Sequence, residues 1–263
     1  MMRSALTFLI FLAMSAAAES TVTRLPAPDF KTTPVKTVAA TAPVTLRLVS
    51  NTANAVTDDD AWFEKHDLSL DRLDEAPEDL PAEIDGAKFL YAIRSGDRHL
   101  GIYGPDYAGG TIVAGSDFAF DFSSYRLAPR NVPSDLEYVE QRVLWAEVKG
   151  DVLYVAHGHR TYAKSSHGMN AYLTAIDLRS GKPLWHSAPL VANATNFTFL
   201  DDDHLVTGYG FTAEPDFLYV LRAKDGAAVA KIPLKSGPSY LLRKDGRLFV
   251  RTYDRDYVFR VVN

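Results

Sequence analysis

The sequence predicts an all-β fold, a small propeller of about four four-stranded blades. The first observation is a recurrence. A charged turn, an apolar strand and a glycine or aromatic tail return as Lys149-Gly-Asp-Val-Leu-Tyr-Val-Ala-His-Gly158, Asp201-Asp-Asp-His-Leu-Val-Thr-Gly-Tyr-Gly210 and Lys244-Asp-Gly-Arg-Leu-Phe-Val-Arg-Thr-Tyr253. The second is an interleaved pattern, Ala175-Ile-Asp-Leu-Arg-Ser-Gly-Lys-Pro-Leu-Trp185 and then Val220-Leu-Arg-Ala-Lys-Asp-Gly-Ala-Ala-Val-Ala230. The third is spacing: 45 residues separate Gly181 from Gly226 and 43 separate Asp201 from Lys244, a period that suits blades of short strands.

In chain order, Arg3, the apolar stretch Ala5–Met14 and Ala16-Ala17-Ala18 before Glu19 have the form of a cleavable export signal over residues 1–18. The apolar run is about half of what a membrane span needs. Residues 19–42 are rich in Thr, Pro, Ala and Val, have no helical period and read as a flexible leader. Residues 43–86 hold a short alternating strand, Val44–Val49, and then an acidic segment. There Asp58-Asp59-Asp60 caps a helix-like start, while Pro77 and Pro81 break any long regular element.

From Ala87 to Asn263 strand follows strand: 88–94, 99–103, 111–114, 118–123, 143–148, 152–157, 171–177, 183–186, 196–200, 204–208, 217–222, 228–233, 239–243, 247–252 and 256–262. With Val44–Val49 that makes four blades of four. The last blade lacks an outer strand, and the N-terminal strand can supply it, leaving no long unpaired edge.

Composition narrows the function classes. The chain has no cysteine, which removes disulfides, thiolate metal sites, a cysteine nucleophile and a lipidated N-terminal cysteine. The net charge of −5 is unevenly spread. Ala55–Gly86 carries twelve acids against Lys65 and Arg72, so the rest of the chain beyond the signal is positive. No basic stripe interleaved with aromatics occurs, so a nucleic-acid partner is not expected. The acidic segment suits a solvated tail, a cover over the positive remainder docked by Trp62, or a calcium site, although it lacks the regular oxygen-ligand alternation with a turn glycine.

Ala175-Ile-Asp-Leu-Arg-Ser-Gly-Lys-Pro-Leu-Trp185 resembles the repeat of quinoprotein-like (PQQ-like) β-propellers, Ala-x-Asp-x-x-Thr-Gly-Lys-x-x-Trp. Asp177, Gly181 and Trp185 match, whereas the second copy keeps Gly226 and has no tryptophan. The resemblance implies that Asp177 and Gly181 shape a turn and that Trp185 packs between neighbouring blades. Family members commonly carry eight blades, and this chain has mass for about half that number. PQQ itself is not expected, because there are too few blades to bury a quinone and no convincing set of calcium ligands.

Counting strands A to D outward from the axis, the A–B and C–D turns of a propeller share one face and the B–C loops share the other. The turns at Lys149–Asp151, Asp201–Asp203, Lys244–Gly246, Arg179–Lys182 and Lys224–Gly226 fall on the first face as short solvated hairpins. The B–C face collects His157–Asn170, Tyr209–Asp216 and Arg251–Asp256, and loops over a rigid scaffold are where binding groups are usually displayed.

The candidate binding residues there are His157, His159, Arg160, Tyr162, His167, Tyr209, Phe211, Arg251 and Tyr253. His157 and His159, two apart at a strand end, share a face if the strand persists, and with His167 they suit zinc, copper or nickel. As ordinary loop histidines they would only make hydrogen bonds. Arg160, Lys164, Arg251 and Arg255 suit a carboxylate or phosphate, or form a solvated rim. Tyr162, Tyr209, Phe211 and Tyr253 are stacking platforms, or seals on the propeller's own core.

No nucleophile elbow, zinc-binding helix or phosphate loop occurs. The reading is therefore an exported binding or scaffold module, periplasmic or extracellular, working through the B–C face. Its ligand or partner is not specified by these residues. The enzyme alternative is a metal-dependent oxidoreductase or hydrolase built on His157, His159 and His167. A third view is an incomplete propeller that closes by exchanging Val44–Val49 with a second chain.

Overall fold

Alternating apolar strands joined by turns rich in glycine and aspartate favour antiparallel hairpins, and this chain folds them into four successive meanders. The structure, a computed structural model, describes residues 21–26, 44–54, 58–104, 109–125, 140–159, 168–211 and 214–262. In chain order the elements are β1 (Val22–Arg24), β2 (Thr45–Ala53), α1 (Asp59–His66), β3 (Arg72–Leu73), β4 (Glu83–Ile84), β5 (Ala87–Ser95), β6 (Arg98–Gly104), β7 (Ile112–Ala114) and β8 (Ala119–Asp121). They continue with β9 (Arg142–Lys149), β10 (Val152–Gly158), β11 (Tyr172–Asp177), β12 (Lys182–His186), β13 (Thr198–Phe199), β14 (His204–Tyr209), β15 (Phe217–Arg222) and β16 (Ala228–Pro233). The last are β17 (Pro238–Lys244), β18 (Arg247–Thr252) and β19 (Arg255–Val262). Among the described residues no helix is long and apolar enough to cross a membrane.

The blades are β5 to β8, β9 to β12, β13 to β16, and β17 to β19 completed by β2. The small all-β propeller is thus the observed fold, and every strand expected from residue 88 onward forms. Strand β2 pairs antiparallel with β19 along its whole length, from Thr45 opposite Val262 to Ala53 opposite Arg255. The last blade is therefore closed within the chain, without a strand from a second copy.

Burial follows the blade faces. One cluster joins the first three blades through residues such as Ile93, Phe122, Trp145, Tyr172 and Leu205, and a second joins the third and fourth through Leu218, Leu241, Val250 and Phe259. Trp185 fastens the seam between the second and third blades. Its indole Nε1 donates to the carbonyl of Ala223 at 3.0 Å, and its ring lies against Gly226. In the turn before it, the Asp177 carboxylate accepts from the Ser180 amide at 2.7 Å, and Gly181 adopts φ +68°. These are the roles that the repeat resemblance implied for Asp177, Gly181 and Trp185.

The acidic segment docks instead of trailing. Asp58 caps α1 by accepting from the Asp60 amide at 2.9 Å, and an aspartate in this position relieves an otherwise unpaired helix N–H. The helix lies against β17 and β18. Trp62 is buried and stacks on Tyr240 at a centroid separation of 6.3 Å, and His66 packs on Phe249. Arg251 Nε binds the Asp59 carboxylate at 2.7 Å, and Lys244 binds that of Asp67. The chain then crosses to the first blade, where β3 and β4 pair with β5, His99 Nδ1 meets Asp79 at 2.8 Å, and the Tyr103 hydroxyl donates to the Pro81 carbonyl at 2.9 Å. Acids of this segment thus meet bases of both end blades, and the segment ties the first blade to the fourth.

Strands β1, β3 and β4 have no counterpart in the sequence reading. Val22–Arg24 lies in the leader read as flexible, yet it adds a parallel strand outside β8, with Arg24 Nε 3.1 Å from Asp121 and Leu25 fully buried behind it. A three-residue strand shows no alternation long enough to read, and its partner alone defines it.

Candidate functional site

The B–C face brings together only part of the expected set. Arg160, Tyr162, Lys164 and His167 lie outside the described residues. His157 is fully buried, among Phe122, Tyr125 and Tyr172. Its Nδ1 meets Gln141 Oε1 and its Nε2 meets Thr174 Oγ1, both at 2.7 Å. Burial, with His186 nearby, pushes its pKa down to about 3, so the ring is neutral and both nitrogens are engaged. It offers no lone pair to a metal in this arrangement. β10 ends at Gly158, one residue short of His159, so the strand alternation that would place His157 and His159 on one face does not carry through. His159 is also buried, and the Asn170 side chain clamps its backbone from both sides at 2.8 Å. Among the described residues no three His, Asp or Glu side chains gather to hold a metal.

Two further candidates serve the fold. Arg251 is buried between Asp59 and Asp256 and also donates to the Asp58 carbonyl at 3.3 Å. Tyr209 is buried, and its hydroxyl donates to the Glu214 carboxylate. Arg255 reaches Asn51 of β2 at 3.1 Å. Among the described residues the large apolar side chains left open on this face are Tyr253, 89% exposed, and Phe211, 43% exposed. They belong to the B–C loops of adjacent blades. Gly210, next to Phe211, touches Gly237, and the Gly237 carbonyl accepts from the Tyr253 amide at 3.2 Å. A Cβ on Gly210 would stand 2.3 Å from the Gly237 Cα, so only glycine allows this approach. Asp216 and Asp254 flank the pair closely enough that burial and the Asp254 charge raise the Asp216 pKa.

A second site, missed from the sequence, lies in the axial channel towards the A–B turns. A cavity of about 410 Å³ is walled by the ends of β5, β9 and β17, by Asn196–Thr198 at the start of the third blade, and by the strap Asp67–Asp71. Glu147 of β9 lines it, its Oε1 accepting from Trp145 Nε1 at 3.1 Å. Burial, reinforced by Asp71, pushes the Glu147 pKa up to about 7 against the opposing pull of Trp145 and Lys149. The available signal was a charged residue two positions from a tryptophan on an innermost strand, where both side chains share a face.

No protein-family model and no curated protein matches the sequence. Among solved structures, the chain is similar to the computationally designed Ika4 protein, with 13% identity and a TM-score of 0.43, over 72% of this chain and 100% of that one. It is also similar to BamB from Moraxella catarrhalis, with 16% identity and a TM-score of 0.30, over 64% of this chain and 44% of that one. The chain thus spans less than half of that BamB chain. At these values the propeller assignment rests on the strand order itself, and the repeat resemblance extends no further than a propeller-like fold.

Proposed function

We propose that the protein is an exported binding or scaffold module whose propeller presents the B–C face to a partner. The observation that carries this reading is the pair Tyr253 and Phe211, exposed on adjacent blades over the Gly210–Gly237 contact. Large aromatics held on a rigid base bury much area at small entropic cost, which is why they anchor interfaces. Asp216 and Asp254 beside them favour a partner that carries basic groups around an apolar anchor. The enzyme alternative draws little support, since His157 has both ring nitrogens bonded inside the core.

Two measurements test the reading. A photo-crosslinking side chain at Tyr253, compared with one at Asp245 on the opposite face, is expected to trap a discrete adduct in the producing cell from position 253 alone. Equal or absent crosslinking at the two positions would remove the B–C face as the working surface. Mass analysis of the exported chain is expected to find Glu19 at its N-terminus, and an unprocessed, retained chain would remove export.

A further inference from the structure

The channel cavity differs from the B–C face in kind: it is a polar, half-open hollow, and four of its charged side chains have no ionic partner among the described residues. Its size falls in the range of small-ligand pockets. Three observations constrain what fits it.

Glu147 presents a carboxylate whose hydrogen bond on the protein is a neutral one, from Trp145. Lys149, the base that acts on it, is turned elsewhere, bound to the Asp201 carbonyl at 2.7 Å and Asp202 at 3.0 Å and lying 4.6 Å over the Phe199 ring. Asp71 lines the same cavity, and its carboxylate has no basic partner among the described residues. Its backbone carbonyl instead receives the Arg94 amide at 2.8 Å, which pins the strap to the first blade, while Lys244 pins the strap's other end through Asp67. At the rim, Arg94 of the first blade and Arg243 of the fourth line the cavity, and no carboxylate among the described residues pairs with either guanidinium.

A cavity lined by two carboxylates and two guanidiniums, none with an ionic partner among the described residues, is complementary to a small molecule that carries both charges. We propose that it binds an amino-acid-like zwitterion, a free α-amino acid or short peptide, with the ammonium group on Glu147 and Asp71 and the carboxylate on Arg94 and Arg243. The chemistry is direct. An ammonium group donates three hydrogen bonds to acceptors such as these carboxylates, and a guanidinium matches a carboxylate in a forked geometry. Burial, with Asp71 beside it, raises the pKa of Glu147, and an ammonium group bound there would favour its ionised form. The strap, fixed at both ends, gives the site a wall that exists before ligand arrives, which lowers the ordering cost of binding.

The test uses the whole exported chain and thermal unfolding, with the free α-amino acids and alanyl-alanine as probes at roughly 10 mM, where a millimolar Kd raises the midpoint measurably. At least one probe is expected to raise it saturably. Blocking that probe's amine by acetylation, or its carboxylate by amidation, is expected to weaken binding at least about tenfold in each case, the loss of a charged hydrogen-bond partner. Glu147→Gln should erase the discrimination against the acetylated form, and Arg94→Ala with Arg243→Ala that against the amide. The single substitution and the arginine pair lie on different blades, so a folding defect in one leaves the other as a test. No saturable shift with any probe, or equal binding of free and blocked forms, would overturn the proposal. So would an amide that binds as well as the free acid, which would make the site one for cations alone.

Discussion

A Cβ built on Gly226 would lie 2.4 Å from Cε3 of Trp185, so the second and third blades meet where one residue has no side chain and the other has the largest. Gly226 also sits at φ +70°, a conformation costly for any other residue. Gly226→Ala therefore adds backbone strain to a clash with the indole, and is expected to destabilise the fold by about 3 kcal/mol. Chemical denaturation checks this, and a loss under about 0.5 kcal/mol, the scale of ordinary surface changes, would mean that the seam is not packed as described.

Trp62 is the anchor by which α1 is seated on the fourth blade. Trp62→Ala is expected to cost roughly 3–5 kcal/mol if the site cannot collapse. Because the helix is a peripheral unit, part of that loss should appear as local release. Trypsin should then cut at Lys65 well before it cuts the blades. Unchanged protection of Lys65 would show that the salt links at Asp59 and Asp67 hold the helix alone.

The pH dependence turns on two groups with opposite signs. His157 is depressed from 6.5 to about 3, so between those values the unfolded chain binds a proton that the folded chain refuses, and stability falls as pH drops. Glu147 is raised from 4.5 to about 7, so over that interval the folded chain keeps a proton that the unfolded chain releases, and stability falls as pH rises. The two slopes oppose each other between pH 4.5 and 6.5. Relative to the parent, Glu147→Gln should gain stability with rising pH at ~1.4 kcal/mol per unit in that window. Identical pH profiles for the two proteins would mean that Glu147 titrates as it does in water.

Much of the fold was legible because the turns carry their own chemistry. Gly150, Gly181, Gly226 and Gly246 all adopt positive φ in the hairpins where the sequence placed them, and strand alternation filled the intervals. Arg72–Leu73 and Glu83–Ile84 were not legible, since two residues have no period and β5 alone makes them strands. The site was harder. Histidines near a loop attracted attention, yet His157 is in the core because β10, an inner strand, is buried on both faces as far as Gly158. Glu147 passed unnoticed because charge on an inner strand reads as one more polar position until the other blades enclose it. Tyr253, read as either a stacking platform or a seal on the core, is left exposed at the turn between β18 and β19.

Deleting residues up to Ala53 should expose the outer edge of β19. The truncated chain is expected to associate or precipitate, as unpaired edges do, and size-exclusion chromatography would report it. A soluble, monomeric product would show that the fourth blade tolerates three strands.

The pairing of β2 with β19 also sets an order of events as the protein is made. Thr45–Ala53 emerges long before its partner Arg255–Val262. Until then Leu48 and Val49 are carried on an unpaired strand with a β-forming sequence, a state that invites mispairing. Loop closure over this separation slows the pairing, so the nascent chain remains vulnerable to aggregation until that partner strand arrives.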